Sequence, residues 1–428
     1  MKTNPLNRRE FLRNTALLGA GLVSIPAVHI ASAADTPPDK IVIGVMGLGR
    51  GGDLARGFLS VGADVRYLCD VDESRIGKLA SAIETRSGTK PKTVTDFRRI
   101  LDDPAVQALA VAAPDHWHAP ATILACAAGK HVYCEKPCSH NPREGELAIA
   151  AARKHNRVVQ HGTQRRSWNR VVEAIGLVRS GKLGRVLFSK GWYTNARGPT
   201  GKRTPALIPA GLNWSLWQGP APEREFTDNV IHYKWHWYWH WGTGECGNNG
   251  VHSLDLCRWG LGVDYPRRVT SGGGRYYFND DQETPDTQVV AYDFGDKAIT
   301  WECRSCVPFG VEGTGFGAAF YGEAGTLITD GSGYVLYDTK GKQTAKVVGN
   351  SSDGPHLRNF LDCIRSGNRP VADIEEAHKS ALLCHLANIS HRVGRAINLD
   401  PQTHRITGDA EAAALWSREY RKGWEPQV

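Results

Sequence analysis

The residues best suited to chemistry fall in two groups, a glycine turn and a strand-ending lysine. The apolar run Ile41 to Met46 leads straight into Gly47-x-Gly49-x-x-Gly52 and then into a helix-compatible segment, Asp53 to Leu59. Buried strand, tight turn and helix start, in that order, make a cradle for a dinucleotide pyrophosphate. Gly47 allows the turn, Gly49 lets the phosphates approach the backbone, and Gly52 lets the helix pack close to the strand. Leu48 and Arg50 complete the turn, and free N–H groups at the helix start would meet the phosphates. A second apolar strand, Val65 to Cys69, ends at Asp70, at the spacing of a carboxylate that binds a ribose hydroxyl. Asp70 favours NAD, because a 2′-phosphate would meet its negative charge, and Arg75 nearby keeps NADP open.

The lysine lies in Glu135-Lys136-Pro137, at the end of the strand His131–Cys134. Ligands bind at the carboxyl ends of parallel strands, so Lys136 is expected to face the same crevice as the glycine turn. An ammonium beside a positive nicotinamide would have its pKa lowered and could shuttle the proton of an alcohol oxidation. Pro114-Asp115-His116-Trp117-His118 forms the loop after another such strand, which brings Pro114, Asp115 and His118 towards the cofactor. Further on, His232-Tyr-Lys-Trp-His-Trp-Tyr-Trp-His-Trp241 concentrates aromatic rings with polar tips. Tyr233, His236 and Trp237 could stack on the C–H faces of a sugar, or the run could pack into a core. His236-x3-His240 could share a helical face, but no companion acid completes a metal site, and none is expected.

These groups need a scaffold, and the hydrophobic rhythm supplies one. From residue 38 to 159 strands and helices alternate: Ser74–Glu84 helical, Val106–Ala113 strand, Ala119–Ala128 helical, His131–Cys134 strand, Arg143–Lys154 helical, Val158–Val159 strand. That βαβ pattern implies a doubly wound parallel sheet, a Rossmann domain binding NAD(P). Residues 160–400 read differently. A helix at Asn169–Arg179 precedes strand upon strand: Val186–Tyr193, Arg268–Phe278, Thr287–Phe294, Ala298–Arg304, Ala318–Tyr321 and Tyr334–Tyr337. Phe294-Gly-Asp-Lys297 is a hairpin turn. The fold class is therefore α/β, with a second α/β domain built on an open, mostly antiparallel sheet. Two late helices (His356–Ser366, Ile374–Val393) and a C-terminal arm over 401–428 close the chain.

The N-terminus reads as an address. Arg8-Arg9-Glu10-Phe11-Leu12 has the twin-arginine pattern, Thr15 to Ile30 is moderately apolar, and Ala31-Ser32-Ala33 is a small-x-small cleavage site. Residues 1–33 are thus expected to be a signal peptide that engages the twin-arginine export machinery and delivers a periplasmic or otherwise exported protein. No second run of about 20 apolar residues suggests stable membrane insertion. The 428-residue chain has a net charge of +8. The leader contributes +3 of this, leaving +5 without a basic run, which argues against nucleic-acid binding. The ten cysteines are dispersed, with no pair of close pairs at zinc spacing, and buried reduced thiols are expected.

Taken together, the Gly47 turn, the Pro-Asp-His-Trp-His loop, Ala128-Gly-Lys-His-Val132 and Glu135-Lys136-Pro137 resemble the Gfo/Idh/MocA oxidoreductases. Asn213-Trp214-Ser-Leu-Trp217-Gln-Gly-Pro-Ala-Pro222 and Gly250-Val-His252-Ser-Leu-Asp255-Leu-Cys-Arg-Trp259 add to the likeness, which covers about residues 40–400 and looks closest to the secreted branch. The resemblance implies sugars, polyols or their derivatives as substrates, and a homo-oligomer, dimer or tetramer. It assigns Lys136 as the catalytic lysine, Glu135 as its companion at the cofactor, and His252 as the histidine of an Asp-x-x-x-His signature. Trp214 comes with the Asn-Trp motif, and Gln164 and Arg165 come with a segment that lines the cleft. One position departs: Asn248 stands where the signature has aspartate. An amide can hydrogen-bond a substrate hydroxyl but cannot take its proton. Acid–base work then falls to Lys136, His252 or a third group, Glu245 being the nearest carboxylate in sequence. An exported enzyme also meets no nicotinamide pool, so the cofactor is expected to stay bound and be recycled in place. Three activities follow: a dehydrogenase of CH–OH groups, an NAD-dependent glycoside hydrolase working by transient oxidation and elimination, or a non-catalytic nucleotide-binding protein.

Overall fold

The computed structural model describes residues 40–428; the expected leader lies outside the described residues. Short Val, Ile, Leu and Ala runs without polar alternation become strands buried on both faces. β1 (Val42–Met46), β2 (Asp64–Cys69), β3 (Lys92–Val94), β4 (Ala108–Val111), β5 (His131–Cys134) and β6 (Val159–His161) pair in parallel in the order β3-β2-β1-β4-β5-β6. Helices α1 (Arg50–Ser60), α2 (Gly77–Ser87), α3 (Asp115–Ala127) and α4 (Pro142–Lys154) alternate with them. Strand order reverses between β1 and β4, which opens a crevice at their carboxyl ends.

After α5 (Asn169–Arg179) the second half builds one ten-stranded sheet. Its strands are β7 (Val186–Thr194), β8 (Arg268–Gly274), β9 (Thr287–Asp293), β10 (Ala298–Arg304), β11 (Phe316–Gly322), β12 (Gly325–Thr329), β13 (Tyr334–Tyr337), β14 (Gln343–Val347), β15 (Ile397–Leu399) and β16 (Ile406–Thr407). The order is β14-β13-β12-β11-β7-β10-β9-β8-β15-β16; β7 and β10 are parallel and the other neighbours pair antiparallel. Helices α6 (Val251–Leu261) and α8 (Ile374–Val393) cover one face, burying Trp301 and Phe320 with Leu254 and Leu383. The other face is open: in β9, Val290 and Tyr292 are buried while Val289 is 55% exposed.

Several boundaries differ from the sequence reading. Residues 115–118 are the first turn of α3 and not a loop, and the strand expected over Arg268–Phe278 stops at Gly274. Strands β3, β12, β14, β15 and β16 escaped the pattern because they are short or lie at the rim, where alternation is weak. The turn at Phe294–Lys297 is present, with Gly295 at φ +99° and the Phe294 N–H donating to the Lys297 carbonyl at 2.9 Å. Segments late in the chain return to the first sheet. In α7 (Gly354–Ser366), Phe360 lies 6.0 Å from both Phe58 and Tyr133, and Trp424 meets Trp117 edge-on at 5.3 Å. Each buried aromatic of this kind contributes about 2–3 kcal/mol of apolar burial. All ten cysteines are free and nine are buried, as expected. No helix among the described residues is long and apolar enough to cross a membrane.

Candidate active site

A cavity of about 580 Å³ opens at the carboxyl ends of the parallel strands, between the two halves. Its near wall is the glycine turn. Gly47 sits at φ +82°, and a Cβ there would come within 2.7 Å of the Ala112 carbonyl oxygen and the Ala113 nitrogen. Only glycine fits, so the backbone can pass close beneath a ligand. No side chain caps α1, which leaves its first N–H groups for a pyrophosphate. The Asp70 carboxylate is aimed by two backbone donors, Leu48 N–H to Oδ2 at 2.8 Å and Asp72 N–H to Oδ1 at 3.0 Å. Arg75 Nε stands 3.7 Å from the same carboxylate. An uncapped helix start, a glycine-only turn and an oriented acid together fit a dinucleotide.

Glu135 and Lys136 leave β5 into the same cavity. The Lys136 Nζ donates to both the backbone carbonyl and the Oδ1 of Asn248, each at 2.8 Å. Because an ammonium can only donate, Asn248 must turn its Nδ2 the other way, and that group meets Glu245 Oε1 at 3.4 Å. Glu245 also accepts from Asn249 and, at 3.4 Å, from Ser305. Burial raises the pKa of Glu245, opposed by hydrogen bonds and by Arg197 and Lys136. Glu135 accepts from Arg50 Nε at 3.2 Å and from the Lys136 N–H at 3.2 Å. His252, on the first turn of α6, has an unpartnered buried Nδ1. Burial, then Arg165 and Lys136, hold its pKa well below the usual imidazole range, so the ring is neutral at pH 7 and can accept a hydroxyl proton in a hydrogen bond. α6 itself is fixed by a buried bidentate pair, Arg166 Nε and Nη2 on Asp255 at 2.8 Å.

The far wall comes from residues 200–245, which strap across the crevice. The Asn213 N–H donates to the Val71 carbonyl at 2.8 Å, Glu73 N–H to Gly211 at 3.1 Å, and His232 pairs with Asp72 at 2.8 Å. Trp117 Nε1 holds the Trp217 carbonyl at 3.1 Å. From this strap Tyr233 and His236 face the cavity. The His236 Nδ1 donates to the Tyr233 carbonyl at 2.6 Å and its ring stacks on Trp235 at 3.6 Å. Burial, then Lys136, push the His236 pKa down to about 3.

Of the residues expected at the site, Gly47, Leu48, Gly49, Arg50, Asp70, Pro114, Asp115, His118, Glu135, Lys136, Gln164, Tyr233, His236, Asn248 and His252 line this one cavity. Others do not. Gly52 is buried inside α1, but a Cβ there would meet only Arg56 and Leu79 at 3.7 Å; the close approach to β1 is at Gly51, whose Cβ would come within 3.0 Å of Val45. Trp214 stacks on Trp217 at 4.7 Å and donates to the Arg224 carbonyl, so it supports the strap from outside. Trp237 is buried under the Arg197 guanidinium at 4.0 Å, packing as core. Arg165 lies over Phe316 at 4.1 Å and near Trp168, behind His252. Glu245 is buried behind Asn248 rather than at the surface. His118 lines the cavity, yet its two nitrogens face the carbonyls of Pro137 and Ala113 at 2.5 and 2.7 Å, which anchors the turn after Lys136. His236 and His240 share no helical face: His236 lies in a short 3-10 turn that ends at Trp237, and His240 turns away to the Pro222 carbonyl. His232 and Trp235 also line the cavity, and only their place in the aromatic run hinted at it.

Comparison with known proteins agrees with this arrangement. Residues 41–163 match the model of the Gfo/Idh/MocA oxidoreductase family, NAD-binding Rossmann fold, and residues 187–277 and 328–426 match its C-terminal alpha/beta domain. A levoglucosan dehydrogenase from Pseudarthrobacter phenanthrenivorans is 34% identical over 185 residues, 43% of this chain and 40% of that protein. A glycosyl hydrolase family 109 protein from Saccharopolyspora erythraea is 28% identical over 214 residues, 45% of this chain and 46% of that protein. The matched stretches thus span less than half the length of these relatives. The crystal structure of an aldose-aldose oxidoreductase from Caulobacter crescentus complexed with glycerol shares the fold, with TM-score 0.64 and 22% identity over 84% of this chain and all of that one. The chain belongs to the Gfo/Idh/MocA family of oxidoreductases and carries that family's NAD-binding Rossmann domain.

Proposed function

We propose that this protein transfers hydride between NAD and a CH–OH carbon of a sugar, polyol or glycoside, with the cofactor retained and recycled in the cavity. The observation that carries this reading is the Lys136 ammonium, held by Asn248 beside the neutral His252 in the cavity that also contains the glycine turn and Asp70. Bound NAD would supply the hydride acceptor. Lys136, with two donors committed to Asn248, has a third for a substrate oxygen, and it gives or takes the proton there. His252 accepts from the same or a neighbouring hydroxyl and orients it. Tyr233 and His236 offer a ring face and a polar edge to the sugar. Asn248 positions Lys136 but takes no proton. Retention of the cofactor is supported by the strap, which ties residues 211–232 to Val71, Asp72 and Glu73 next to Asp70.

The departure at Asn248 and the glycosyl hydrolase relative favour a second reading, in which oxidation is transient and a glycoside is cleaved with no net redox change. The twin-arginine leader, export to the periplasm and assembly into a dimer or tetramer belong to the same proposal, since an exported enzyme gains from carrying its own cofactor. The test is to purify the protein from the exported fraction without added nucleotide, denature it and quantify released nicotinamide, then screen sugars and glycosides. Near-stoichiometric NAD(H) with two-substrate exchange supports the first reading. Release of free sugar without cofactor turnover favours the second. An empty protein with ordinary NAD turnover overturns retention.

A further inference from the structure

A second cavity, of about 470 Å³, shares no lining residue with the first. The strap, α8, the start of α4 and the C-terminal arm meet around it. Three guanidinium groups converge there from separate parts of the chain: Arg224 from the strap, Arg392 from α8 and Arg418 from the arm. None of the three forms a salt bridge among the described residues. Arg392 lies 5.5 Å over the Trp239 ring, and Arg418 donates to His140 Nδ1 at 3.2 Å and to the Glu419 carbonyl at 3.2 Å. That bond makes His140 an acceptor at Nδ1, so its Nε2 carries the proton and donates to the Trp239 carbonyl at 3.0 Å. His140 therefore supplies no positive charge and no counter-charge. Two carboxylates also line the cavity, fewer than the three arginines: Glu283, which accepts the Trp239 N–H at 2.8 Å and lies 3.7 Å from Arg203, and the exposed Glu419.

Like charges gathered at one cavity attract an anion, and the planar guanidinium forks match carboxylate or phosphate oxygens. Burial lowers the pKa of both Arg392 and Arg418, opposed by the charge of Glu283 on the first and of Glu144 on the second. The rest of the wall is neutral and hydrogen-bonding: Trp239, His240, Thr243, Asn388 and Ser417. We propose that this cavity is a binding site for a small hydroxylated oxyanion, a sugar-sized molecule bearing a carboxylate or phosphate held by Arg224, Arg392 and Arg418. Its back wall is one residue thick. Thr243 lines the cavity, accepts from Asn388 Nδ2 at 2.7 Å, and donates through Oγ1 to Asp115 Oδ2 at 2.6 Å, and Asp115 lines the cofactor cavity.

The test is calorimetric titration of the full chain with its cofactor, using D-gluconate and glucose 6-phosphate as probes and D-glucose as the uncharged control. At least one anion is expected to bind saturably at a single site per chain. Arg224→Gln and Arg392→Gln, both at exposed side chains, should each weaken it about tenfold, the value of one charge-assisted hydrogen bond. Lys136→Ala should leave it unchanged. Binding of gluconate alone identifies a carboxylate ligand, and of glucose 6-phosphate alone a phosphate. No saturable binding of either anion, binding that survives both arginine substitutions, or binding abolished by Lys136→Ala would each overturn the site.

Discussion

The two walls of the active-site cavity are made in opposite ways. The cofactor wall is local: β1, its glycine turn, α1 and β2 follow one another in sequence, and Asp70 is aimed by backbone N–H groups of Leu48 and Asp72. The substrate wall is assembled from afar. Lys136 at the end of β5 is held by Asn248, more than a hundred positions on, and the strap reaches back to Asp72 through His232. Backbone geometry specifies the first, and long-range side-chain contacts specify the second. The first should therefore fail through turn geometry, and the second through single side chains without loss of the cofactor.

The largest effect should come from Lys136→Ala. Removing a positioned proton donor costs about a thousandfold in turnover, while NAD released on denaturation stays at the parent level. Loss of bound NAD together with activity would mean that the two walls are not separable. Gly47→Ala tests the other side. Its Cβ would stand 2.7 Å from two Ala112–Ala113 backbone atoms at a positive φ. The strained conformation costs about 1–2 kcal/mol before the clash is counted, so NAD content should drop about tenfold with a lowered melting temperature. Full retention of NAD would show that the turn does not shape the site. Asp70→Asn keeps the shape but removes the charge. Affinity for NAD should fall severalfold, with relative affinity for NADP rising because a 2′-phosphate no longer meets a carboxylate. An unchanged NAD-to-NADP ratio, read by fluorescence titration of the emptied protein, would assign the selectivity to Arg75 instead.

How far the sequence could be read follows the same division. The parallel sheet and Asp70 were legible because periodicity and spacing act within one βαβ unit. Lys136 was legible from its strand end. Trp214, Trp237 and Arg165 were not: chemical type suggested ligand contacts, but packing against Trp217, Arg197 and Phe316 uses them inside the fold. Aromatic residues serve both ends, and nothing in a linear pattern separates them. The role of Glu245 was half visible. Its nearness to Asn248 could be seen in sequence, whereas its burial behind the amide, which turns Asn248 Oδ1 towards Lys136, depends on Ser305 and Asn249 closing around it. His232 pairs with an aspartate 160 positions away, and no local signal predicts such a contact.

The smallest effect concerns the seam where the C-terminal arm meets the first half. Glu144, fully buried on α4, accepts from the His140 N–H at 2.8 Å and from the Tyr420 hydroxyl at 3.0 Å. Burial raises its pKa to about 7, opposed by Arg418 and by these hydrogen bonds. A carboxyl group with a folded pKa above its unfolded value of about 4.3 binds its proton more tightly in the native state. Its contribution is complete below the unfolded value and is lost as pH rises towards 7. Glu144→Gln imitates the protonated form at every pH. The variant should match the parent in melting temperature near pH 4 and exceed it by a few degrees at pH 8, with turnover and bound NAD unchanged. Parallel melting profiles across that window would mean that Arg418 and Tyr420 compensate the charge fully. The arm would then be fixed by Trp424 on Trp117 and by its other packing contacts, as the local wall is fixed by its backbone.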